Sequence, residues 1–78
     1  MKYAVVLEKT TDGWSVSIPD LDGCGSTGDT QAEALANVRE AIILHLSGMV
    51  EDGDIIPDPV TAVDYVEVPP PMPYTQTP

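Results

Sequence analysis

Four carboxylates, Glu8, Asp20, Asp22 and Asp29, are the residues whose type would suit the gathering of a divalent cation for phosphoryl transfer. Their placement argues against that chemistry. Glu8 closes a strand-like run, Asp20 and Asp22 fall in a turn-rich loop, and no Lys or Arg lies near to hold a scissile phosphate. With 13 acidic residues among 78, some clustering is expected by chance. Cys24 and His45 are the single thiol and the single imidazole, and nothing in their spacing makes them a nucleophile and base. Two ligands of these types also fall short of the four that a structural zinc site takes. Gly23, Gly25 and Gly28 precede no basic residue, and Asp29 at a helix start repels an anion, so a phosphate-binding loop is not indicated. No catalytic, metal or cofactor site is expected.

The formal charge of −10, against the three cations Lys2, Lys9 and Arg39, disfavours direct contact with nucleic acid, whose phosphates are met by Lys and Arg. The same field attracts a basic protein and speeds its capture. One cysteine allows no internal disulfide. The start Met1-Lys2-Tyr3 has no long apolar run, and no stretch approaches a bilayer-spanning length, which reads as a cytoplasmic protein. A chain this short has one modest core, so self-association into a homo-oligomer is expected.

The elements that would carry these residues follow from local pattern. Residues 3–8 are apolar and β-prone and stop before Asp12-Gly13, a turn signal that predicts a hairpin. In the second arm Trp14, Val16 and Ile18 alternate with Ser15 and Ser17, the mark of a strand with one buried face, until Pro19 ends the ladder. A tight loop holding Asp20, Asp22 and Cys24 leads to a short strand at 25–28, with Cys24 expected to fill a small buried pocket. Thr30 and Glu33 then form a capping box, the Thr hydroxyl accepting from the Glu33 amide and the carboxylate reaching back to the Thr30 amide. The helix is predicted over 31–47 with Gly48 as its C-cap. Its buried stripe is Leu35, Val38, Ile42, Leu46 and Met49, flanked by Ala34 and Ala41, with His45 at the core border. Leu44 points to the polar side, either as an isolated exposed Leu or, with Ile43, as part of a partner surface.

Beyond the helix lies an acidic connector with Glu51, Asp52, Asp54, Pro57 and Pro59. Residues 60–68 then alternate as a final strand, and the proline-rich residues 69–78 form a tail. The expected architecture is α+β: one helix packed on a small, mostly antiparallel sheet in the order β-β-β-α-β, as a single domain over 1–68.

The block Gly13-Trp14-Ser15-Val16-Ser17-Ile18-Pro19-Asp20-Leu21-Asp22-Gly23-Cys24 resembles the HicB antitoxin family, as do the run from Gly28 through Thr30 to Val38, the triplet Glu40-Ala41-Ile42, and Leu44-His45-Leu46. The acidic Glu51-Asp52-Gly53 and following Pro57 extend the likeness over roughly the first sixty residues. The resemblance implies a degenerate ribonuclease-H-like domain without that enzyme's activity. It also implies a partner, the HicA toxin, a small basic messenger-RNA-cleaving protein. Many members carry a C-terminal DNA-binding segment, where this sequence has its proline-rich tail, so operator binding by this chain is not expected. Pro19, Gly23, Gly28 and Thr30 are expected to serve the fold. Asp20, Asp22, Glu51, Asp52, Asp54 and Leu44 are the expected partner-contacting residues. Two other readings stay open: an orphan oligomer with another ligand, and a metal-dependent nuclease.

Overall fold

A computed structural model describes residues 1–73 and 75. Three antiparallel strands, β1 (Val6–Lys9), β2 (Trp14–Ser17) and β3 (Gly25–Gly28), form a sheet in chain order, followed by helix α1 (Gln31–Asp52). This is the expected α+β arrangement of one helix on a small antiparallel sheet.

Register places Leu7 opposite Val16 and Lys9 opposite Trp14 on one face, with Glu8 opposite Ser15 and Val6 opposite Ser17 on the other. The first face carries the core: Val16, Ile18, Leu21, Ala34 and Val38 are buried, and Tyr3, Val5, Leu7, Trp14, Cys24, Ile42 and Leu46 pack around them. Strand β1 begins at Val6 rather than residue 3. In the Val6 to Ser17 register, a ladder continued backwards would meet Ile18 and then Pro19, which has no amide to donate. Lys9 Nζ sits 5.2 Å from the Trp14 ring centroid, a cation–π contact between cross-strand neighbours.

The hairpin loop differs from the tight turn that an Asp-Gly pair favours. Residues 10–13 form a four-residue loop closed by Thr10 N donating to the Gly13 carbonyl (2.9 Å) and Gly13 N donating to Thr10 Oγ1 (3.1 Å). Gly13 does not take a positive φ. It is glycine because a Cβ there would strike the Gly28 carbonyl, and a Cβ on Gly28 would in turn strike the backbone of Ala34. The two glycines let hairpin, β3 and helix meet backbone to backbone.

That close approach moves the helix's buried stripe. Ala34 is fully buried and Val38 nearly so, whereas Leu35, expected in the core, is 43% exposed. Only a methyl fits where the helix touches β3, so the larger side chain is displaced to the flank.

The N-terminus of α1 is capped as expected by Thr30, whose Oγ1 accepts from the Glu33 amide at 3.1 Å. The Glu33 carboxylate reaches one residue further back than expected and accepts from the Asp29 amide at 3.3 Å. At the other end the helix passes through Gly48 and stops at Asp52. Gly53 adopts φ 75°, its amide donating to the Val50 carbonyl (3.1 Å) while that of Asp54 donates to the Met49 carbonyl (2.9 Å). These two bonds define a Schellman end, which needs the left-handed residue that Gly53 supplies.

The final strand expected at 60–68 does not form. No strand follows α1 among the described residues, and residues 54–71 carry no regular secondary structure. The physical reason lies at the entry to the segment. The amides of Val60 and Thr61, donors that a ladder would use, both donate to Asp20 Oδ2 at 3.0 Å. The preceding Pro57 and Pro59 have no amide hydrogen to offer a ladder.

Candidate partner-binding surface

Of the expected contact residues, Asp20 is the one whose side chain is hydrogen-bonded to another part of the chain among the described residues. Besides the two amides it accepts from Thr61 Oγ1 at 2.7 Å. The Thr61 hydroxyl bond, then the Thr61 and Val60 amides, hold the Asp20 carboxyl below its ordinary range, partly opposed by desolvation. Asp22, two residues on in the same β2–β3 loop, is exposed. Between them Leu21 turns inward as the most deeply buried large side chain, 1% exposed. The loop is therefore pinned from beneath by Leu21 and from the side by Thr61, and it presents Asp22 outward.

Glu51, Asp52 and Asp54 gather at the end of α1, all exposed. This is the negative pole of the helix, where carboxylates are unfavourable and cations favourable, and no basic residue occupies the last turn. A cation brought by another molecule relieves that repulsion.

Leu44 is 72% exposed. Nine residues on from Leu35, at about 100° per residue, it faces the opposite side of the helix. Sequence reasoning missed a second apolar surface. Met1, Tyr3 and Val5 line a groove with Leu35, Ile42, Ile43 and Leu46, and it continues past Leu46 to Val50 and Ile56. The signal was the width of the apolar arc on α1, broader than one core stripe requires.

Cys24 is half-buried against the core, and burial pushes its thiol up from the ordinary value. His45 is half-buried at the core border, as expected. Among the described residues no three or more His, Cys, Asp or Glu side chains come together to hold a metal ion. No helix there is long and apolar enough to cross a membrane.

A three-stranded antiparallel sheet under one long helix, with carboxylates massed at the helix end and on the β2–β3 loop, defines a small acidic α+β domain. Residues 3–72 match the family described as the HicB-like antitoxin of bacterial toxin-antitoxin systems, and the chain belongs to that family. It is 44% identical over 69 residues to an uncharacterised 14.9 kDa protein from the rep-hol intergenic region of Haemophilus phage HP1, covering 88% of this chain and 52% of that protein. It is 39% identical over 70 residues to Antitoxin HicB 2 of Photorhabdus laumondii, covering 88% of this chain and 50% of that one. A UPF0150 protein of Thermoplasma acidophilum is 40% identical over 58 residues, covering 73% of this chain and 84% of the relative. The chain thus spans about half the length of the phage protein and of the Photorhabdus antitoxin. Among solved structures, a chain of a HicA3 and HicB3 toxin-antitoxin complex superposes with a TM-score of 0.68 at 32% identity, covering 77% of this chain and 70% of that one.

Proposed function

We propose that this chain is the toxin-binding module of an antitoxin, which neutralises a basic HicA-type ribonuclease by covering its RNA-binding and catalytic face. The observation that carries the reading is the likeness to a chain of a HicA3 and HicB3 complex, taken with a formal charge of −10. An acidic domain occupies a surface built for phosphates and is itself repelled by RNA. The role is one of binding, not catalysis, in the cytoplasm, with residues 1–68 as the binding domain and 69–78 as a tail.

Within that reading the contact set is Asp22, Glu51, Asp52 and Asp54, with Leu44 as an apolar contact. Asp20 contributes by holding the loop that presents Asp22. Supporting this division, the first four acids include three at the unneutralised pole of α1, while the Asp20 carboxylate is taken up by Thr61 and Val60.

The test is co-expression with the small basic protein encoded beside it, read by pull-down and by rescue of growth. Capture with rescue is expected. A companion that stays toxic and unbound removes the antitoxin reading, and RNA cleavage by the stringently purified chain with magnesium or manganese removes the non-catalytic one.

A further inference from the structure

We propose that Thr61 is a positioning residue for recognition of the basic partner: by clamping Asp20 it sets the β2–β3 loop, so that partner binding at Asp22 and closure of the post-helix arm onto that loop favour each other. The inference rests on the antitoxin reading and deepens it.

The loop consists of two turns that share one residue. Leu21 N donates to the Ile18 carbonyl at 3.1 Å, and Cys24 N donates to the Leu21 carbonyl at 3.4 Å. Both bonds are longer than the usual value of about 2.9–3.0 Å, so the loop's own backbone holds the turns weakly. Leu21 is their common corner, 1% exposed, and Gly23 sits in the second turn at φ 75°. Asp20 and Asp22 flank that corner. With two peptide units between them, whatever fixes Asp20 also limits where Asp22 points.

The clamp supplies the hold that the turns lack. Asp20 accepts from the Val60 amide at 3.0 Å, the Thr61 amide at 3.0 Å and the Thr61 hydroxyl at 2.7 Å, each shorter than either turn bond. These donors arrive on an arm that is itself held. Tyr3 Oη donates to the Pro57 carbonyl, Pro57 and Pro59 have fixed φ, and residues 61–63 lie beside residues 2–5. Thr61 is half-buried and Asp22 exposed, so the clamp works from behind and leaves the outward side of the loop to a partner.

Charge divides the two carboxylates. Three donors meet the charge of Asp20 within the chain, which leaves Asp22 as the loop carboxylate for a cation brought from outside. A loop set before encounter loses less freedom on binding than one ordered by the partner. The coupling is reciprocal: the factor by which clamp closure strengthens binding is the factor by which bound partner strengthens closure.

The test is titration of the full chain with the small basic protein encoded beside it, over a salt series. Thr61→Val keeps shape and net charge and removes the hydroxyl. It should weaken binding about fivefold, the low end of couplings between sites, with salt slope and helical circular dichroism unchanged, and Thr61→Ser should restore affinity. Asp22→Asn should weaken binding by itself, and T61V/D22N should bind little worse than D22N, since the loop then has no carboxylate to present. In the native chain, saturating partner should raise protection of the Val60 and Thr61 amides. Undiminished affinity in T61V, fully additive losses in T61V/D22N, or amides indifferent to the partner overturn the proposal and leave the antitoxin reading standing. So does tighter binding with a steeper salt slope in T61V, the result if a freed Asp20 meets the partner itself. A native chain that does not bind its companion removes both.

Discussion

Asp20 and Thr61, forty-one positions apart in the chain, are joined by two hydrogen bonds, amide to Oδ2 at 3.0 Å and hydroxyl to Oδ1 at 2.7 Å. One carboxylate in the β2–β3 loop thereby decides where the segment after the helix goes.

Its protonation state is the first prediction. Because the folded chain holds the Asp20 carboxyl below its ordinary value, the clamp is complete above the unfolded pKa and is lost as pH falls through the lower, folded one. Protection of the Val60 and Thr61 amides, taken relative to their intrinsic exchange rate at each pH, should be high at neutral pH and should be lost in strong acid. Asp20→Asn should show fast exchange already at neutral pH; equal protection in the variant would mean the carboxylate is not what holds the arm.

Gly28→Ala should destabilise the fold by about 1–3 kcal/mol, the range for overpacking, because its Cβ has only backbone of Glu33 and Ala34 to push against. Urea denaturation checks this, with Gly48→Ala as the control. Position 48 has open space around it, and the substitution there should be neutral or stabilising.

Thr30→Ala removes the acceptor for the Glu33 amide and should cost about 1 kcal/mol. For a domain this size that is a fall in Tm of about 4–8 °C, measurable by thermal melting. Thr30→Ser should keep most of the stability.

The acids at the end of α1 should separate binding from stability. Replacing Glu51, Asp52 and Asp54 by Gln, Asn and Asn eases repulsion at the negative pole, worth about 0.3 kcal/mol each at exposed positions, so thermal stability should rise slightly. Affinity for the basic partner should fall and lose part of its salt dependence. An unchanged affinity across a salt series would take this surface out of the contact.

Local signals located most of the frame. Thr30 with Glu33 marked the start of α1, alternation around Val16 marked β2, and the Gly25 to Gly28 run marked β3. Where reading failed, the deciding interaction joined distant parts of the chain. Residues 60–68 have the composition of a strand, but Asp20 takes the first two amides. Gly48 and Gly53 are both plausible helix stops, and only Gly53 has the left-handed conformation that lets the last carbonyls be satisfied. Leu35 belongs to the apolar arc, but the near-contact of α1 with Gly28 reserves the centre of the core for Ala34. For the candidate site, the acidic positions were legible as a set; Asp20's engagement with Thr61 and the groove beside α1 were not, since both depend on how separate elements are brought together.

Asn37 Nδ2 donates to the Thr27 carbonyl of β3 at 2.8 Å, so a helix side chain occupies an acceptor on the sheet's far rim. Growth by added strands is thereby blunted on that margin, while on the opposite one residues 61–65 lie beside residues 2–7. A sheet flanked at both margins does not stack into endless ribbons, a useful property for a protein with so much bare valine and so little core.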